Sequence, residues 1–191
     1  MGKGRLEAFS DGVLAIIITI MVLELKIPKG YTSLVDLYNE LGSVFLSYVL
    51  SFVYIAIYWN NHHHMLHAVN RVSGVVLWTN VHLLFWLSLI PFTTRWMGEN
   101  NFALWPVALY GFNLLMAGVA YYFLAHRLLN VHGKESAFAK ALGNDWKGKI
   151  SVVIYAVAIG LCFIHPLIAF SLYVLVAAMW FIPDKRFEKD E

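Results

Sequence analysis

Apolar residues in this chain come in long unbroken blocks instead of alternating with polar ones. Uncharged stretches cover residues 41–70, 72–94, 100–126 and 150–183. As helices rising ~1.5 Å per residue, each is long enough to cross ~30 Å of hydrocarbon. The last stretch holds 34 residues, too many for one crossing, and His165-Pro166 divides it near its middle. Proline removes a backbone donor and biases its predecessor away from helix, which favours a tight hairpin of two spans over one kinked helix. Continuous runs also argue against a β-barrel, whose strands alternate in hydrophobicity.

The first apolar segment differs, because only 12 uncharged residues separate Asp11 from Glu24. It spans only if those carboxylates sit at the interfaces or face protein and water. The pattern therefore predicts six transmembrane helices, at about 6–27, 42–65, 73–96, 103–128, 147–164 and 167–183. The expected class is an all-α membrane protein forming a single domain over 1–191. No cleavable signal peptide is expected, because the first apolar run follows charged residues and lacks a small-residue cleavage site. Six spans place both termini on one side. Lys3, Arg5, Arg71, Arg127, Lys134, Lys140, Lys147, Lys149, Lys185, Arg186 and Lys189 fall on that side, against Lys26, Lys29 and Arg95 on the other, so both termini are expected to be cytoplasmic.

Composition agrees with the pattern. With 60% hydrophobic, 16% aromatic and 14% charged residues, the 191-residue chain has more apolar surface than a soluble domain of its size buries. The net charge of +2 is spread over short loops as a topology signal and does not suggest nucleic acid. A single cysteine, Cys162, rules out an internal disulfide framework.

The candidate chemistry gathers on the first helix. Gly12, Ile16, Thr19, Leu23 and Lys26 share one stripe within about 40° of its centre, and Ile16 to Leu23 covers ~10 Å. Periodicity alone favours ordinary lipid-facing or core aliphatics, with Thr19 bonded to its own backbone. At the cytoplasmic end, Arg5 and Asp11 lie about 120° apart on the helix, so each needs partners on other helices. Asn60, His62, His63, His64, Asn80 and His82 come to nearly the same depth as Ser10 and Asp11, which suggests a polar network joining the first helix to the second and third. The alternative is that Ser10 or Asp11 only caps the helix.

Arg5-Leu-Glu-Ala-Phe-Ser-Asp resembles the Arg-x-x-x-Phe-Ser-Asp signature on the first helix of the transmembrane-protein-175 family, potassium channels of lysosomes and bacteria. Trp59-Asn-Asn-His-His and the run from Asn80 to Pro91-Phe92 resemble the second and third helices of these channels. The resemblance implies a prokaryotic member in the plasma membrane, a homotetramer with the first helices lining the pore, and potassium as the permeant ion. It also implies a hydrophobic constriction at Ile16 and Leu23 and a ring of Thr19 hydroxyls between them as the selectivity element. Arg5, Phe9, Ser10 and Asp11 then anchor the helix to its neighbours. Membrane lipids are the other partners, with no cofactor, no metal, no nucleic acid and no enzymatic activity. No Thr-Val-Gly-Tyr-Gly loop occurs, and Leu109-Tyr-Gly-Phe does not replace one.

Two other readings stand beside it. A proton- or cation-coupled carrier would use Asp11 and His82, although no internal repeat accompanies them. His62, His63, His64 and His67 include i,i+3 and i,i+4 pairs that suit metal ligands, but no Cys or His-Glu-x-x-His pattern joins them. Trp96, Trp105, Trp146 and Trp180 read as interfacial anchors, Gly111, Ala117 and Gly118 permit close helix packing, and residues 131–149 read as a solvated connection.

Overall fold

The computed structural model describes residues 2–26, 32–133, 135–143 and 145–181. Among these the chain is helical throughout, without strands: α1 (Lys3–Leu23), α2 (Leu34–His67), α3 (Gly74–Ser88), α4 (Ile90–Glu99), α5 (Leu104–His132), α6 (Ala137–Leu142), α7 (Trp146–Cys162) and α8 (Pro166–Phe181). Among the described residues, four helical stretches are long and apolar enough to cross a membrane: α1, α2, α3 together with α4, and α5. With 17 and 16 residues, α7 and α8 are shorter. Lys29, Lys134, Lys185, Arg186 and Lys189 of the charge count, and the ends of the 6–27 and 167–183 spans, lie outside the described residues.

Helix α2 is longer than its expected 42–65. At 34 residues it reaches ~51 Å, well beyond a hydrocarbon core. Ser33 starts it by accepting a hydrogen bond from the Val35 N–H. The expected single span at 73–96 is interrupted at Leu89, because Pro91 stands in the first turn of α4 and offers no N–H to the preceding helix. Asn113 of α5 repairs the break. In the amide orientation that satisfies both its ends, it donates to the Trp86 carbonyl at 2.9 Å and accepts from the Ile90 N–H at 3.3 Å. Backbone groups freed in hydrocarbon need such a partner, and a neighbouring helix supplies it.

Residues 163–165 turn the chain between α7 and α8, which pack against each other as a helical hairpin. His165 Nδ1 accepts from the Leu167 N–H at 3.3 Å, satisfying a donor at the start of α8. Residues 131–149 do not form a purely solvated connection. Ser136 accepts from the Ala139 N–H to start α6, which carries Phe138 into the core beside Leu142, so an aromatic side chain ties this loop to α5.

Helix α5 is central, contacting α3, α4, α6, α7 and α8, while α1 packs on α2, α3 and α4. One apolar core joins α1, α3 and α6 to the second halves of α2 and α5. The other joins α2 and the first half of α5 to α7 and α8. Small residues set two close approaches. A Cβ on Gly98 would lie 2.7 Å from the Val44 Cα where α4 crosses α2, and one on Gly111 would lie 1.9 Å from the Tyr173 hydroxyl of α8.

Candidate functional site: the first helix and its anchors

Helix α1 is two-faced in this chain. Leu6, Ser10, Leu14, Ile17 and Met21 are buried, at spacings of three and four that keep them on one side. Gly12, Ile16, Thr19, Leu23 and Lys26 are all exposed, about 160° round the helix from that core face. Ile16 is 58% and Leu23 72% exposed, far more than the packing against α2, α3 and α4 would leave on the inner side. The Thr19 hydroxyl donates to the Ile16 carbonyl at 2.8 Å, as threonines in apolar helices do, and its oxygen retains lone pairs.

The polar residues expected around the lower end divide into separate groups. Ser10, Asn80 and His62 form one buried chain: His62 Nε2 donates to Asn80 Oδ1 at 2.7 Å, Asn80 Nδ2 donates to Ser10 Oγ at 3.0 Å, and Ser10 Oγ donates to the Leu6 carbonyl at 2.9 Å. Ser10 Oγ, Asn80 Oδ1, Asn80 Nδ2 and His62 Nε2 each have a partner, so three helices are joined through satisfied polar atoms. Asp11 points elsewhere. Its Oδ1 accepts from Trp59 Nε1 at 3.1 Å, and the Trp59 ring stacks on His63, which stacks on His67. Lys3 Nζ donates to the His67 carbonyl at 3.2 Å and lies 3.7 Å from Glu7, adding a second link between α1 and the end of α2.

His82 does not reach Asp11. Its Nε2 accepts from Trp86 Nε1 at 2.9 Å on its own helix, so the pair invoked for a coupled carrier has two unrelated partners. Arg5, Phe9 and Asn60 are exposed and outside the buried chain. Among the described residues no group of three His, Cys, Asp or Glu side chains is placed to share a metal ion. Trp59, which the sequence offered only as part of a motif, is the partner of Asp11 that sequence reasoning did not assign. Its place beside Asn60, one position off the expected set, was visible, but its rotation toward α1 was not.

Residues 5–91 match the family model described as the endosomal/lysosomal potassium channel TMEM175. A relative from Chryseobacterium sp. (strain P1-3), named a potassium channel, is 52% identical over 189 residues, covering 99% of this chain and 97% of its own length. The chain belongs to the TMEM175 channel family. The crystal structure of a lysosomal potassium-selective channel TMEM175 homolog from Chamaesiphon minutus superposes with a TM-score of 0.80 at 28% identity, over 94% of this chain and 96% of that one. The chicken relative, named an endosomal/lysosomal proton channel TMEM175, is 30% identical over 109 residues, 52% of this chain and 22% of that protein. The family is one of membrane channels, not of enzymes. Its match covers α1, α2, α3 and the start of α4, the elements that carry the exposed stripe and the Ser10–Asn80–His62 chain.

Proposed function

We propose that four copies of this chain assemble in a bacterial plasma membrane into a cation channel that favours potassium, with one α1 from each copy around the axis. The exposed stripe of α1 carries this reading: Ile16, Thr19 and Leu23 stand on the face turned away from the chain's own core. One helix per chain cannot enclose a pore, so an oligomer is required. Rings of Ile16 and Leu23 form the constriction and resist ions that hold their water shells tightly, and the Thr19 oxygens replace part of a potassium shell between them. Donation of the Thr19 proton to the Ile16 carbonyl supports this, because it leaves oxygen lone pairs for a cation.

The same reading has the chain crossing six times as one channel domain, with α7 and α8 as the fifth and sixth spans and both termini cytoplasmic. The buried chain at Ser10, with Asp11 on Trp59, fixes α1 to α2 and α3. Arg5 and Phe9, exposed in one copy, face its neighbours. Lipids surround the assembly, and no cofactor takes part in passive conduction.

Purified protein in liposomes with potassium as sole cation is expected to give voltage-driven currents with unitary steps. A saturable, slow flux without steps would indicate a carrier, and no conductance would refute the channel. Thr19→Val is expected to lower the preference for potassium over sodium, and an unshifted reversal potential would remove Thr19 from the selective element. A pH-sensitive dye inside the same vesicles reads entry of protons, the ion for which the chicken relative is named.

A further inference from the structure

The two ends of α1 are held by unlike devices. At Ser10 the helix is tied through buried neutral hydrogen bonds. At the other end Leu23 is followed by Glu24, whose Oε2 lies 2.8 Å from Arg95 Nη1 of α4. That oxygen is enclosed, and Arg95 is the cation that compensates it. Arg95 Nε also donates to Glu99 Oε1 at 2.8 Å on its own helix, which leaves one guanidinium serving two carboxylates.

Helix α4 is a firm support for this contact. Met97 and Gly98 are buried, Gly98 lies against the α2 backbone, and Ser43 Oγ donates to the Gly98 carbonyl at 2.8 Å. Between α1 and α4, by contrast, a groove of about 420 Å³ is lined by Ile16, Ile20, Phe92, Glu24 and Arg95, among others. Side-chain packing does not fill it, and the ion pair bridges it one residue beyond Leu23.

We infer that Arg95 is a positioning residue for the constriction: through Glu24 it holds Leu23 of each α1 at a fixed distance from α4 and so sets the width that distinguishes potassium from sodium. This rests on the pore reading above. Glu99 orients the guanidinium from the same helix, so its charge is not the one that bridges α4 to α1.

The test uses the full chain in liposome patches, with reversal potentials measured between potassium and sodium. Arg95→Gln is expected to lower the potassium-to-sodium permeability ratio roughly two- to five-fold, the range a partly exposed ion pair supplies. Glu24→Gln with Arg95→Gln is expected to show the same loss, since the link is absent while no carboxylate is stranded. Arg95→Lys is expected to retain most of the ratio, and Glu99→Gln to leave it unchanged. If Arg95→Gln fails to fold, the double variant carries the test. A wild-type ratio in the double variant shows that Arg95 merely neutralises the Glu24 charge and overturns the inference, as does an unchanged ratio in Arg95→Gln. A wild-type protein that conducts but is insensitive to Leu23→Asn refutes the pore reading itself, an outcome separable from either result at Arg95.

Discussion

Replacing Asn80 by leucine removes the middle of the chain that joins three helices. The substitution keeps the volume nearly constant, so the cavity contribution is small. Two hydrogen bonds are lost, His62 Nε2 to Asn80 Oδ1 and Asn80 Nδ2 to Ser10 Oγ. At about 0.6–1 kcal/mol each in a membrane protein, they account for roughly 1–2 kcal/mol. Ser10 keeps its bond to the Leu6 carbonyl, but the buried His62 N–H is left without an acceptor, which adds about 1–2 kcal/mol. The expected loss is therefore about 2–4 kcal/mol in reversible unfolding by anionic detergent in mixed micelles. Ser10→Ala alone strands only one amide N–H and is expected to cost about 1 kcal/mol. Combined with Asn80→Leu it should add almost nothing, because its partner is already gone. A loss below about 1 kcal/mol for Asn80→Leu, or strict additivity of the two variants, would refute the reasoning.

Other expectations follow from single positions. Gly111→Ala places a Cβ 1.9 Å from the buried Tyr173 hydroxyl and should destabilise the α5–α8 contact by about 1–3 kcal/mol, whereas Gly118→Ala, whose nearest neighbour is the Val152 side chain at 3.3 Å, should cost less in the same unfolding assay. Ile16→Asn or Leu23→Asn should wet the constriction and raise potassium current, and unchanged currents in both would take these residues out of the pore. His132 Nδ1 donates to the Leu128 carbonyl while Nε2 accepts from the Asn70 and Arg71 N–H groups, both at 3.2 Å. His132→Ala removes that acceptor, so amide exchange at Asn70 and Arg71, corrected for its intrinsic rate, should speed up in the variant, and unchanged rates would show that the ring does not hold these two N–H groups.

How much was legible depended on whether the cause was local. Continuous apolar runs specify helices in a bilayer because each helix satisfies its own backbone, and Pro166 ends one because it has no N–H to offer. The stripe of Ile16, Thr19 and Leu23 could be drawn from helical period alone, and it is exposed because the opposite face carries Leu6, Leu14, Ile17 and Met21 into the core. Ser10, His62 and Asn80 could be named as a candidate group because depth in the membrane follows from residue count. Rotation and tilt between helices do not follow from it. Those decided that Asp11 meets Trp59 and His82 meets Trp86, that Asn113 closes the gap Pro91 opens, and that Phe138 draws α6 into the core. They also brought Arg95 to Glu24, two residues 71 positions apart in sequence that meet because α4 packs beside the end of α1. Period and hydrophobicity act within one helix and are written along the chain, whereas the partner of a polar side chain is set by how several helices turn against one another, and only the packed structure holds that information.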